Sequence, residues 1–277
     1  MFVHILNLIR VKDWLKNLLI FIPLIFSDNL NRSDYYLDLF FTFFLFSFVC
    51  SIIYILNDIA DIETDKLHPI KKNIKPLANG SLSIFFAKIL IVLLVILIIL
   101  FLLHDSTILL YVLCYVILNL SYNYYLKKIP IIDVLVISIG YILRIESGSE
   151  IVEVTTSFLM LCSIFFLSIF ILSIKRKKEF ENNFLTRRSL KFYNLNLIKY
   201  SSYLSCFITF CFYLFYITTK NPTLIITAPV VLFVFWRYLY LDNRQGKGEF
   251  PIDTVIYDWQ LLVSCILYII IVLHNFL

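Results

Sequence analysis

The chain has 277 residues, of which 61% are hydrophobic, 17% aromatic and only 16% charged, with a formal net charge of +5. Such an apolar share makes the bilayer the solvent and excludes an ordinary soluble domain. The positive charge is divided among short loops between apolar runs, the pattern of a membrane protein and not of a nucleic-acid-binding face. Six cysteines, Cys50, Cys114, Cys162, Cys206, Cys211 and Cys265, stand singly in apolar stretches. They read as small buried hydrophobes and suggest neither a zinc site nor a disulfide framework.

Residues 1–13 are apolar with basic residues toward one end, which predicts a short interfacial helix. Arg10, Lys12, Asp13 and Lys16 interrupt the place where a signal peptide carries its apolar core, so no cleaved signal is expected. Runs of about twenty residues, or somewhat fewer where buried, can cross a bilayer. They fall at 15–30, 36–57, 82–103, 106–122, 131–148, 155–174, 198–217, 222–240 and 256–275. The expectation is an all-α polytopic protein of nine spans in one membrane domain. Lys and Arg crowd alternate loops, which predicts the N-terminus and the charged loops inside and the C-terminus outside. Attraction to anionic lipid accounts for part of Arg10, Lys12 and Lys16. The stretch Val11-Lys12-Asp13-Trp14-Leu15-Lys16-Asn17 is nevertheless more patterned than a generic basic flank.

The second span ends in Leu56-Asn57-Asp58-Ile59-Ala60-Asp61-Ile62-Glu63-Thr64-Asp65-Lys66. If its helix continues, Asp58, Asp61 and Asp65 fall three and four residues apart and stack on one face. Carboxylates that close repel unless a cation lies between them, and oxygen-only ligation suits Mg²⁺. A polar cap that merely ends a span is the plainer reading; the third Asp in register and the basic loop behind it weigh against that. This loop, Lys66 to Gly80, carries four lysines, Lys66, Lys71, Lys72 and Lys75, with two prolines and a glycine that give it a fixed shape. Lysines beside carboxylates are what a metal-bridged diphosphate requires. His68 reads as a structural hydrogen-bonding residue, because no second His or Cys lies nearby.

Span four closes with Tyr122, Tyr124, Tyr125, Lys127 and Lys128, a sequence that an aromatic belt with inside lysines explains in large part. Span five opens with Asp133 at the inner edge, where it could face a cavity. Arg144 lies about 16 Å further along, where pairing with Glu146 or Glu150 and contact with substrate are both open, and an intramembrane charge is a functional candidate. After span six comes Lys175-Arg176-Lys177-Lys178-Glu179, with no DxxxD. The last inner loop, with Gly246, Gly248 and Pro251, turns into a helix whose first turns hold Asp258, a poor place for an idle carboxylate.

Asn57-Asp58-x-x-Asp61-x-x-x-Asp65, with His68-Pro69 and Lys75-Pro76-Leu77-Ala78-x-Gly80, resembles the first signature of the UbiA-type membrane prenyltransferases. That resemblance implies a nine-helix, Mg²⁺-dependent bundle with a cavity open to the cytoplasmic side. Ordinary members carry a second aspartate-rich motif after the sixth helix, where this chain has a basic run. Together with Lys12-Asp13-Trp14-x-Lys16-Asn17, Lys175-Arg176-x-x-Glu179 and Gly246-x-Gly248-Glu249-x-Pro251-x-Asp253, this is similar to the decaprenyl-phosphate phosphoribosyltransferase branch. The loop Lys71 to Pro76 holds one residue more than the family pattern.

The resemblance implies transfer of 5-phosphoribose from phosphoribosyl diphosphate to a polyprenyl phosphate, a step toward cell-surface glycans at the cytoplasmic membrane. Asn57, Asp58, Asp61 and Asp65 would hold Mg²⁺, with Asp58 and Asp61 closest to the chemistry. Lys12, Lys16, Lys66 and Lys72 would meet the diphosphate or acceptor phosphate. Lys175, Arg176 and Glu179 would lie at the 5-phosphate, with Tyr122, Lys127 and Asp258 lining the site. Exchanging one acidic motif for a basic one suits a substrate with a second anionic end. Two other readings stand beside it: a prenyltransferase joining a prenyl diphosphate to an aromatic acceptor, and a non-catalytic transporter or scaffold for lipid phosphates. No nucleic-acid partner is expected, and nothing in the pattern speaks to an oligomeric state.

Overall fold

The computed structural model describes residues 1–67, 71–181, 193–246 and 248–276, without the side chains of Lys71 and His104. His68, Arg187, Arg188, Lys191 and Lys247 lie outside the described residues. Every regular element described is helical. In chain order they are α1 (Phe2–Leu8), a 3-10 stretch (Val11–Phe21) running into α2 (Ile22–Ile25), α3 (Asp34–Ala60), α4 (Ile62–Leu67), α5 (Lys71–Ile74), α6 (Ile84–His104) and α7 (Leu109–Tyr124). After these come α8 (Ile132–Val152), α9 (Phe158–Glu181), α10 (Leu195–Lys220), α11 (Ala228–Gln245), α12 (Pro251–Tyr257) and α13 (Trp259–Phe276).

Six of the described helices are long and apolar enough to cross a membrane: α3, α6, α9, α10, α11 with the turn before it, and α13. The molecule is therefore an integral membrane protein. Near the remaining predicted spans lie α7, 16 residues long, the charge-bearing α8, and the 3-10 stretch with α2. Local chemistry sets several boundaries. Ser83 caps α6 by accepting a hydrogen bond from the Phe86 amide at 3.1 Å, and prolines open α11 and α12, where the missing N–H costs nothing. Gly246, at φ 67°, ends α11 in the left-handed conformation. α6 is the most apolar span, with mean hydropathy 3.4 and only 11% of that window buried, so most of its surface faces lipid.

α8 is the hub: it packs against the 3-10 stretch, α2, α3, α7 and α9. Gly148 permits the closest of these approaches, since a Cβ there would lie 2.0 Å from the Ile20 carbonyl oxygen. α9 and α10 form a long hairpin, and α13 closes the bundle against α11, α12 and α2. Buried hydroxyls such as Thr42, Ser47, Ser138 and Thr209 donate to the carbonyl four residues back, which removes their cost in an apolar bundle.

Three expectations change. The predicted first span at 15–30 is instead the 3-10 stretch from Val11 with the four residues of α2. In 3-10 geometry side chains three apart eclipse, and burial follows that period: Asn17 and Ile20 are buried, whereas Lys12, Leu15 and Leu18 are exposed. The helix expected to run through the aspartates breaks at Asp61, between α3 and α4. The break is mild, for the Asp61 amide still donates to Asn57 O at 2.9 Å and the Asp65 amide to Asp61 O at 2.8 Å. Of the cysteines, Cys50 alone is buried and Cys114 is exposed; none forms a disulfide. A thiol tolerates a lipid-facing position as readily as a core.

Candidate active site

Asp58 and Asp65 are both buried, 2% and 3% exposed, at the junction of α3 and α4. The loop returns Lys75 to them: its ammonium lies 2.8 Å from Asp58 Oδ1 and 2.5 Å from Asp65 Oδ2. Arg10 completes the group with Nη2 2.8 Å from Asp58 Oδ1, its guanidinium stacked 4.5 Å over the Tyr54 ring. The residue that delivers it adopts φ 53°, ψ 52°, an uncommon conformation for a non-glycine residue that turns the chain from α1 into the 3-10 stretch. Burial opposes the Arg10 charge, but Asp58, with Tyr54 and Asp13, outweighs it and leaves the group more basic than usual.

Asn57 and Asp61 are half-buried beside this pair. Lys16 is ion-paired with Asp13 one 3-10 turn away, and Lys175 of α9 lies within electrostatic reach of Asp13. Lys12, further out, reaches Asp253 of α12 at 3.2 Å and lies 5.9 Å from the Tyr257 ring. The 3-10 stretch thus gathers α3, α9 and α12 around one charged region.

Other candidates stand apart from the aspartates. Lys66 folds back onto Glu63 at 2.9 Å, and Lys72 is exposed on α5; among the described side chains the loop lysine on the acids is Lys75. Tyr122 and Lys127 are half-buried at the end of α7 and in the turn after it. Arg176 is 1% exposed and bridges Asp133, at 2.9 Å, and Glu179, at 2.5 Å. Tyr193 extends that group, donating to Asp133 Oδ1 and accepting from the Ile131 amide, both at 2.7 Å. Ile131 has φ 68°, a strained value for a β-branched residue, so the phenol pins a costly turn at the start of α8. Burial, then the bond to Asp133, pushes the Tyr193 phenol above its ordinary range.

Lys177 and Lys178 turn away to Asp242 of α11, at 2.5 and 3.2 Å. Asp258 meets Arg237 through both oxygens, at 3.2 and 2.7 Å, and accepts from the Leu261 amide at 3.0 Å. It therefore ties α11 to α13 and caps the last helix.

Arg144 pairs with neither expected glutamate, since Glu146 accepts from Thr156 and Glu150 from Tyr111. Its guanidinium donates to Asn17 Oδ1 (2.6 Å), Gly140 O (2.6 Å) and Tyr115 Oη (2.7 Å) and stacks 4.6 Å over the Tyr115 ring. It is a cation held by neutral acceptors, and through Asn17 it holds the 3-10 stretch. Sequence reasoning did not mark Asn17, Asp242 or Tyr193 as partners. The eclipsed triplet Trp14, Asn17 and Ile20 was the available signal for the first.

The acid group suits a hard divalent ion. Asp58 and Asp65 already share one cation, Lys75, while Asn57 and Asp61 lie near them in the chain. Among the described residues no group of three or more His, Cys, Asp or Glu side chains is gathered that could hold a metal ion. The acids that the structure brings together are Asp58 and Asp65, and Mg²⁺ can be held by one or two carboxylates with substrate phosphate oxygens.

Residues 29–251 match the UbiA prenyltransferase family profile. The chain is 34% identical over 145 residues to uncharacterized protein y4nM of Sinorhizobium fredii, an alignment covering 52% of this chain and 28% of that one. It is 33% identical over 178 residues to the decaprenyl-phosphate phosphoribosyltransferase of Corynebacterium glutamicum, covering 62% of this chain and 53% of that one. Matched residues therefore span about half, or less, of these curated relatives. The structure of a UbiA homolog from Archaeoglobus fulgidus bound to GPP and Mg²⁺ shares the fold, with TM-score 0.72, 18% identity and coverage of 99% and 98%.

Proposed function

The chain belongs to the UbiA prenyltransferase family, and from that premise we propose that it transfers 5-phosphoribose from phosphoribosyl diphosphate to a polyprenyl phosphate. A bond forms between an acceptor phosphate oxygen and ribose C1 as the bond from C1 to the diphosphate oxygen breaks, and the electron pair leaves with diphosphate. Mg²⁺ bound at Asn57, Asp58, Asp61 and Asp65 would offset the charge on that leaving group. Arg10, Lys16 and Lys75 add positive charge at the same end. The nucleophile is an anion at neutral pH, so no general base is assigned.

The observation that carries this reading is the state of α9. Its two carboxylates, Glu179 and Glu181, are paired with Arg176 and Lys178 of the same helix, while Lys175 lies within electrostatic reach of Asp13. A prenyl diphosphate needs a second acidic motif there; a sugar with a 5-phosphate needs a cation, and Lys175 supplies it. The names of several relatives at 26–33% identity agree. Nine membrane segments with the N-terminus and acid group on the cytoplasmic side of the inner membrane, in one domain with the polyprenyl tail among the apolar spans, complete the proposal. Its product would feed cell-surface glycan synthesis.

Purified protein given labelled phosphoribosyl diphosphate, polyprenyl phosphate and Mg²⁺ should form a lipid-soluble labelled product, which Asp61→Ala abolishes while remaining folded. Product from geranyl diphosphate and an aromatic acceptor, with none from phosphoribosyl diphosphate, would reverse the assignment.

A further inference from the structure

Lys75 occupies the position between Asp58 and Asp65 that a divalent ion needs. Its backbone is fixed: the Asn79 amide donates to Lys75 O at 3.0 Å and the Leu82 amide to Pro76 O at 3.1 Å, and Leu77 is 6% exposed. Only the flexible side chain can withdraw. That side chain is 15% exposed and the Arg10 side chain 29%, against 2% and 5% for the two carboxylates, so the two cations cover the outward side of the group.

We infer that Lys75 is a displaceable plug in the metal site, so that a divalent ion enters effectively only together with a diphosphate. Among the described side chains Arg10 and Lys75 both meet Asp58, and Lys75 also meets Asp65. A lone divalent ion must bind within about 2.1 Å of oxygens that the ammonium already contacts, and the two cations exclude each other. An arriving diphosphate changes this, because it gives the ammonium an anion to follow outward while the ion takes its place. The residue thus sets the order of loading and keeps the carboxylates compensated between turnovers. The inference rests on reading the acid group as the divalent-ion site, not on the identity of the transferred sugar.

The side-chain chemistry separates two substitutions. Lys75→Met removes the competing charge and keeps the apolar stem, whereas Lys75→Arg offers a planar fork that can grip both carboxylates more firmly. Equilibrium dialysis of full-length protein in detergent with Mn²⁺ alone should show binding at least tenfold tighter in Lys75→Met than in wild type, and weaker in Lys75→Arg. In wild type, labelled inorganic pyrophosphate should be retained with Mn²⁺ at concentrations where Mn²⁺ alone does not bind, a measurement that needs no variant to fold. Mn²⁺ binding in Lys75→Met equal to or weaker than wild type overturns the plug. Absence of Mn²⁺ binding in every protein, with and without pyrophosphate, overturns both the plug and the metal site. Normal Mn²⁺-dependent pyrophosphate retention without phosphoribosyl transfer overturns the proposed reaction and leaves the plug standing.

Discussion

Replacing Gly148 with alanine puts one methyl group into the tightest crossing of the bundle. The new Cβ would lie 2.0 Å from Ile20 O, 2.9 Å from its carbonyl carbon and 3.2 Å from its Cα, all backbone atoms that no rotamer change can move. To reach even 3.0 Å, the closest approach real Cβ atoms show, α8 and the 3-10 stretch must part by at least 1.0 Å. Overpacking of this kind costs about 1–3 kcal/mol, against about 1 kcal/mol gained from alanine's helix propensity. Gly140 provides the control on the same helix. Its Cβ would meet side chains alone, those of Tyr115, Arg144 and Leu118 at 3.4, 3.6 and 3.9 Å, so the propensity gain should dominate. In detergent, the apparent melting midpoint should fall by several degrees in Gly148→Ala and stay level or rise in Gly140→Ala. Because Lys16 and Asn17 ride on the displaced segment, transfer activity should fall with it, and a shift near 1 Å can cost about a hundredfold. A Gly148→Ala protein that melts with or above Gly140→Ala would refute the close crossing.

Arg144→Met should destabilise by roughly 1–3 kcal/mol, the cost of leaving buried acceptors such as Asn17 Oδ1 unmet. Arg144→Lys should not restore the melting midpoint, since one ammonium cannot serve acceptors on three elements. Asp258→Asn should lower thermal stability, because the neutral amide weakens the pairing with Arg237, while the Km for phosphoribosyl diphosphate remains unchanged; a raised Km would place Asp258 at the substrate. The raised Tyr193 pKa predicts a phenol still protonated above the ordinary value of about 10, visible as a missing phenolate band in the wild-type minus Tyr193→Phe spectrum at alkaline pH. Its contribution to stability is fully present below that value and declines as pH rises from there through the folded-state pKa. A denaturation series from pH 9 to 11.5 on both proteins reads the difference.

The long spans were legible because hydropathy over twenty residues reports directly on the bilayer, and α3, α6, α9, α10 and α13 lie where apolar runs placed them. The 3-10 stretch was not, since its order has a period of three, carried by Trp14, Asn17 and Ile20 against Lys12, Leu15 and Leu18, and such a short run resembles an irregular helix. The spacing placed three aspartates on one face of a continuing helix; the break at Asp61 instead brings Asp58 and Asp65 together over Lys75, and that a loop lysine reaches them depends on how the turn at Pro76 folds. Arg144 and Glu146, two residues apart, point to different faces of one helix, a local rule that already disfavoured their pairing. The basic run of α9 looked uniform in sequence. Packing divides it: Lys175 comes within electrostatic reach of Asp13, Arg176 meets Asp133, and Lys177 with Lys178 meets Asp242, relations that span tens of residues and leave no local trace.

The geometry of the first segment also sets its reach. Its 11 residues in 3-10 form rise about 22 Å at 2.0 Å each, and the 4 of α2 add about 6 Å. The sum of roughly 28 Å is about 6 Å more than the same fifteen residues would span wound as an α-helix. A taut, overextended coil thus lets so brief a segment carry the chain from the charged end at Asp13 and Lys16 to Pro23, and any mutation that relaxes it would draw those two ends together.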